Sequence, residues 1–279
     1  MKKLSLLIVM FLMTSLMGYS QEWYGVSKNT PVKIQETLVS STEKEILVDV
    51  KVEGFFAEKV ETPQGQQMLI TAEDMATMLV KGAPSLPMYP ISMIIDDKAE
   101  MEVSVVKSNY VDFENIEVAP SKGNFSRQIN PDDVEYVYGE MYQQNAFYPA
   151  QQAALEAPYI LRDFRAQNLM VYPYAYNHVT KTLRVYTNLR IAVKKVSDNG
   201  INQKQNRRDN RIVADQEVLS SYKHRFINFQ KQDKYDFIED EGEMLVICVN
   251  EYMDALQELV TWKNMSGRPT TMVPVSETG

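Results

Sequence analysis

Hydrophobic and polar residues alternate along much of this chain, most clearly between residues 183 and 194. Leu183, Val185, Thr187, Leu189, Ile191 and Val193 fall on one face, and Arg184, Tyr186, Asn188, Arg190 and Lys194 on the other. A period of two over that length specifies a long β-strand with one buried and one wet face. Upstream, residues 169–176 form a tyrosine-rich strand interrupted by Pro173. A proline cannot donate to a ladder, so an edge or a bulge is expected there. The short polar connection NHVTKT (177–182) predicts that the two runs pair as an antiparallel hairpin.

The same reading extends towards the N-terminus. Residues 45–56 (EILVDVKVEGFF) alternate again, with Ile46, Val48, Val50 and Val52 facing one way. Residues 71–80 (TAEDMATMLV) predict a short helix, with Thr71 as its cap and Met75, Met78 and Leu79 at helical spacing. GAPSLPMYP (82–90) carries three prolines and reads as a stiff extended connection. Strands at 91–95 and 101–107 flank the turn formers Asp96, Asp97 and Lys98, so a second hairpin is expected. Residues 21–196 are thus predicted to form a mainly β, antiparallel, sandwich-like domain.

Residues 110–148 break the alternation. They are rich in turn residues and aromatics, and a long irregular excursion from a β scaffold is where binding residues concentrate. Within it, SKGNFSRQINP (121–131) is bracketed by Gly123, Asn124 and the Asn130–Pro131 pair, and its basic side chains are Lys122 and Arg127. Residues 197–211 (SDNGINQKQNRRDNR) have no large apolar cluster, which predicts an exposed, protease-accessible linker from 197 to 242. A marginal helix over 215–229 and an acidic run over 233–243 fall inside it.

The pattern then changes class. Residues 244–249 (MLVICV) are continuously apolar, as expected of a strand buried on both faces. Asn250 is placed to cap a helix, with Glu251 and Asp254 in its first turn and Tyr252, Ala255, Leu256 and Leu259 as its apolar stripe. Gly267 should end that helix, and residues 270–275 read as a second strand. This is the β-α-β opening of an α/β domain, too short over 243–279 to cover a parallel sheet.

Composition narrows the function classes. A formal net charge of −8 leaves no basic surplus for neutralising phosphates, which argues against nucleic acid as a partner. Residues 1–20 read as a secretory signal peptide, with Lys2 and Lys3, an apolar run over 4–16, and cleavage between Ser20 and Gln21. The mature chain is therefore expected outside the cell without a stable membrane anchor. A single cysteine rules out an intramolecular disulfide framework. That residue, Cys248, lies in an apolar strand, where a thiol is packing rather than an activated nucleophile. Asp96, Asp97, Asp132 and Asp133 read as turn formers rather than metal ligands, and neither a catalytic residue nor a cofactor is expected.

The runs GAPSLP, NYVDFENIEVAPSKG, RDFRAQ and NHVTKTLRVY resemble the propeptide of gingipain-type cysteine peptidases. The segment MLVICVNEYMDALQELVTWKNMSGRPTTMVPV is similar to the start of their caspase-like catalytic domain. The resemblance implies an intramolecular chaperone and inhibitor whose partner is its own peptidase domain in cis. It also places the family's catalytic histidine and cysteine beyond residue 279. Since many such peptidases cut after basic residues, the resemblance implies processing at Arg207, Arg208, Arg211 or Arg225. It further makes Arg127 a candidate inhibitory residue, offered to the peptidase as a substrate mimic. A different reading, a secreted β-sandwich adhesin, rests on the tyrosines of the hairpin and of residues 136–148, which could stack on sugar rings.

Overall fold

The computed structural model describes residues 21–27, 29–205, 211–213, 216–229, 236–238 and 242–278. The chain is mainly β with antiparallel sheets, and it divides into two units. The first runs through Lys204 and takes in Phe226–Asn228; the second holds residues 205–225 and 229 onward.

The strands of the first unit are β1 (Glu22–Gly25), β2 (Gln35–Ser41), β3 (Glu45–Lys51), β4 (Gly54–Thr62), β5 (Gly65–Thr71), β6 (Ala76–Thr77) and β7 (Pro87–Ile94). They continue with β8 (Glu100–Phe113), β9 (Ala153–Leu155), β10 (Tyr159–Leu161), β11 (Phe164–Val171), β12 (Tyr174–Asn177) and β13 (Thr182–Ser197). Three sheets result: β1-β4-β5, β10-β11-β7-β6 with β9 on β11, and β12-β13-β3-β2 with β8 on β13.

β13 is the spine of the unit. β8 pairs with it along its whole length, while its other edge is shared by β12 at Thr182–Val185 and β3 at Asn188–Lys194. Its inward residues behave as their alternation predicts: Leu183, Val185, Leu189, Ile191 and Val193 are all buried. They serve two cores. Leu189, Ile191 and Val193 join Ile46, Val48, Val50, Ile91, Met93, Leu169 and Val171, so two sheets face each other across one cluster. Leu183 and Val185 join Phe55, Ile70, Val118, Tyr142, Tyr174 and Tyr176 beneath the β4–β5 sheet.

The outward residues of β13 pin its register. Arg190 grips Asp49 at 2.7 and 2.6 Å, and Arg184 grips Asp112 at 2.8 Å through two nitrogens. Both are bidentate, the geometry that gives a guanidinium its directional strength. The Arg184 guanidinium also lies 3.8 Å from the centroid of the Tyr110 ring. Gly54 marks a close approach: a Cβ there would lie 2.3 Å from the Tyr24 carbonyl oxygen and 2.6 Å from the Trp23 ring.

Several expectations are corrected. The hairpin of β12 and β13 forms around NHVTKT, but Pro173 does more than interrupt a strand. It is where the chain leaves the β11 sheet and enters the β13 sheet. The turn at Asp96–Ala99 forms, with the Ala99 N–H donating to the Asp96 carbonyl at 3.2 Å. Its flanking strands, β7 and β8, nevertheless belong to different sheets. No helix forms over 71–80; β6 lies there, because Met78 is drawn into a tertiary core that overrides local spacing. Part of the expected proline connection is strand, since β7 begins at Pro87. The unit also extends past residue 197. Arg165, wholly buried, donates to the carbonyls of Asp96, Ala99, Ile201 and Asn202 at 2.7–2.9 Å and draws residues 200–204 onto the body. Burial pushes its pKa down, against the charges of Asp96 and Asp97.

The second unit contains β14 (Arg211–Val213), α1 (Gln216–Arg225), β15 (Asp236–Ile238), β16 (Met244–Cys248), α2 (Met253–Met265) and β17 (Thr270–Pro274). β16 and β17 pair in parallel, as a β-α-β unit requires. Asn264 ties the helix to β17 by accepting from the Thr270 N–H at 2.8 Å and donating to the Thr270 carbonyl at 3.0 Å. Gly267 follows the helix with φ +82, a left-handed stop. Three details differ from expectation. Asn250 begins a 3-10 turn, and its side chain caps no helix among the described residues; the inward stripe of α2 is Met253, Leu256 and Val260; and Leu245 and Ile247 are exposed rather than buried. Adjacent stripes share helical spacing, so periodicity alone could not fix the rotation of α2.

Candidate inhibitory loop

Residues 117–121 leave β8 and become part of the scaffold through main-chain bonds on both sides. On one side, the Met68 N–H donates to the Glu117 carbonyl at 2.7 Å and the Ala119 N–H to the Met68 carbonyl at 2.9 Å. On the other, Ser85 and Gly82 donate to the carbonyls of Ala119 and Ser121. Gly123 follows with φ +88, and a Cβ there would meet Lys81 Cβ at 2.9 Å, so only glycine lets the chain turn out here.

The chain then projects as a β-turn, closed by the Ile129 N–H donating to the Ser126 carbonyl at 3.0 Å. Arg127 is the first residue inside that turn. It is exposed, and among the described residues its guanidinium has no hydrogen bond or ion pair. Behind the turn, Asn130 caps the 3-10 turn Pro131–Asp133 by accepting from the Asp132 N–H at 3.2 Å. The Lys122 ammonium donates to the Pro131 carbonyl at 2.8 Å and lies 4.5 Å from the centroid of the Tyr136 ring, joining the two feet of the loop.

The return leg is anchored by aromatics. The Tyr138 hydroxyl donates to Gln67 Oε1 at 2.6 Å, and that of Tyr142 to the Val118 carbonyl at 2.9 Å. Tyr142 meets Tyr138 and His178 edge-on, each with ring centroids 4.9 Å apart. Burial raises the Tyr142 pKa, keeping the hydroxyl a neutral donor, and lowers that of His178. Tyr148 and Tyr176 exchange main-chain hydrogen bonds at 2.9 and 2.8 Å, closing the excursion. The loop is therefore an exposed arginine on a tight turn, braced at both feet.

A model of one protein family, Propeptide_C25, matches residues 27–237. The chain belongs to that family. Among curated proteins, this propeptide is 34% identical to gingipain R1 of Porphyromonas gingivalis over 275 residues, covering 97% of this chain. It is 32% identical to gingipain R2 of the same organism over 238 residues, covering 85% of this chain. It spans only 27% of that gingipain R1 and 32% of that gingipain R2. A solved complex of the pro- and mature domains of P. gingivalis RgpB includes a chain that superposes with a TM-score of 0.63 at 33% identity. The match covers 70% of this chain and 98% of that one. A structure from work on the zymogenic latency of P. gingivalis gingipain K shares the fold, with a TM-score of 0.54 at 18% identity over 64% of this chain and all of that one.

The other candidate residues of the propeptide are scattered. Ser20, Arg207 and Arg208 lie outside the described residues. Gln21 is exposed and its amide donates to Glu58 at 3.3 Å. Arg211 opens β14, which pairs in parallel with β15. Arg225 is exposed at the end of α1, immediately before the buried Phe226. Cys248 is buried in β16. Asp96, Asp132 and Asp133 lie in turns, and no group of three or more His, Cys, Asp or Glu among the described residues could hold a metal ion. The supports of the Arg127 turn were missed by sequence reasoning. Their only advance signal was the spacing of Lys122, Tyr138 and Tyr142 around a Gly/Asn–Pro turn.

Proposed function

We propose that this chain is the N-terminal propeptide region of a secreted gingipain-type cysteine endopeptidase, holding the catalytic domain latent in cis and guiding its folding. In this reading residues 1–20 direct export and are removed after Ser20, exposing Gln21. The β domain inhibits, the basic linker around Arg207, Arg208 and Arg211 is cut on maturation, and residues 243–279 open the caspase-like domain. Arg127 is the inhibitory anchor. The observation that carries this is the pairing of family membership with an arginine that has no partner among the described residues, on a braced turn. A guanidinium bound bidentately by a pocket carboxylate is a strong anchor. The braced turn keeps its own peptide bond from relaxing into attack geometry. Tethering in cis raises the effective concentration of the inhibitor without demanding high affinity.

The burial of its tyrosines weighs against the adhesin reading. Of the tyrosines it rests on, Tyr142, Tyr174, Tyr176 and Tyr186 are buried, Tyr138 is hydrogen-bonded to Thr62 and Gln67, the Tyr136 ring is covered by Lys122, and Tyr148 and Tyr172 are half-buried, so few open ring faces are offered to a sugar. Two measurements test the proposal. The isolated propeptide, added to its own mature peptidase, should inhibit it; full activity at micromolar propeptide contradicts the reading. Mass spectrometry of the secreted protein should find mature N-termini between residues 197 and 244; termini outside that window contradict the linker assignment.

A further inference from the structure

The linker does not simply leave the β domain. After α1 the chain returns, and Phe226–Asn228 belongs to the first unit. Phe226 and Asn228 are 2% and 4% exposed, values of a core rather than a connection. Phe226 meets Phe164 edge-on at 6.1 Å, and Ile227 packs against the core cluster that contains Ile91 and Met93.

The polar contacts extend the β7 edge. The Ile227 N–H donates to the Ser92 carbonyl at 3.0 Å. Asn228 Oδ1 accepts from the Ile94 N–H at 2.8 Å, and Asn228 Nδ2 donates to the Ile94 carbonyl at 2.9 Å. One side-chain amide thus satisfies both main-chain groups of a buried strand residue, and Nδ2 also reaches Ser41 Oγ at 3.2 Å. Without this segment the outer edge of β7 at 92–94 would present unpaired polar groups, which is unfavourable for a folded sheet. Strand-edge addition with side-chain pockets is a general mode of peptide capture.

We infer that Phe226–Asn228 is a latch, seated on the β7 edge, that keeps the propeptide attached to the downstream chain after the linker has been cut upstream of it. The inference rests on the propeptide reading above. A cut after Arg207, Arg208 or Arg211 opens the chain but leaves the latch on the downstream fragment and still docked. Cutting the linker and releasing the propeptide are then separate events, and the downstream chain is separated from a seated latch only by a cut beyond Asn228.

The test uses the full chain with a recognition sequence for a site-specific viral protease placed within residues 206–210. After cutting, the two wild-type fragments should co-elute on gel filtration, with the Ile94 amide protected from hydrogen exchange. Asn228→Ala should weaken their association by about tenfold or more and expose the Ile94 amide. A synthetic peptide of residues 224–230 in excess should displace the downstream fragment from the wild type, a readout that survives if the variant does not fold. Separation of the wild-type fragments on cutting overturns the inference. So does association that neither Asn228→Ala nor the peptide changes. Because no peptidase activity is read, failure here leaves the inhibition proposal standing, and failure of inhibition leaves the latch standing.

Discussion

The Lys122 ammonium donates to the carbonyl of Pro131 at 2.8 Å, closing the base of the loop that carries Arg127. With the Tyr136 ring beneath it, this single side chain links the outgoing and returning legs of the turn. Replacing Lys122 by Met keeps the stem and removes the bond and the charge. The expected result is inhibition weakened about threefold to tenfold, the yield of one solvent-exposed hydrogen bond. The loosened loop should also be cut faster after Arg127, turning part of the inhibitor into substrate. Unchanged inhibition and unchanged loop cleavage would mean that the brace is not needed.

Val185 tests the assignment of faces on β13. It is wholly buried, with Tyr174 opposite it on one side and Val111 on the other. Val185→Asp buries an unpaired charge and should cost about 3–5 kcal/mol, seen as a large fall in melting temperature. A variant that melts with the wild type would contradict the buried face.

The alternation of β13 was legible because Leu183, Val185, Leu189, Ile191 and Val193 all turn inward; Tyr186, expected on the wet face, is instead buried in a core cluster, next to an irregularity in the pairing with β8. What periodicity could not show was that the inward face serves two cores, since Leu183 and Leu189 look alike in sequence. The helix expected over 71–80 failed for the reason that Met78 is claimed by residues far away in the chain. Order at residues 200–204 was not legible because it comes from polar contacts: Arg165 bonds the carbonyls of Ile201 and Asn202, Gly200 and Lys204 donate to Lys98 and Asp97, and Asn202 donates to Pro158. Asn228 was invisible because its partner is 134 residues distant, and nothing in the local run 226–229 points to it. The turn that carries Arg127 was legible from Gly123, Asn124 and the Asn130–Pro131 pair, but its braces depend on Tyr138 and Tyr142 meeting Gln67 and Val118.

His178 gives the fold a predictable acid response. Burial against Tyr142 and Tyr176 lowers its pKa in the folded state, with Glu117 opposing and Lys181 adding to the shift. The unfolded chain therefore binds this proton more readily, near pH 6.5, and stability is lost as pH falls from about 7 through the lower folded value. Between pH 7.5 and 5.5 the melting temperature of the wild type should fall more steeply than that of His178→Asn. Parallel slopes would assign the loss to other groups. The bidentate bond from Arg190 lowers the pKa of Asp49, whose contribution is lost only at more acid pH, below its ordinary carboxylate value of 3.8.

Arg127 is the residue on which the proposed latency depends, and the inhibition constant of the isolated propeptide against its own mature peptidase tests this most directly. Its guanidinium supports nothing within the described fold, so Arg127→Ala should leave the melting temperature unchanged. Inhibition should weaken by about tenfold or more, as expected when a buried anchor is removed from an interface. An inhibition constant equal to that of the wild type would contradict the account and place the inhibitory contact elsewhere on the propeptide.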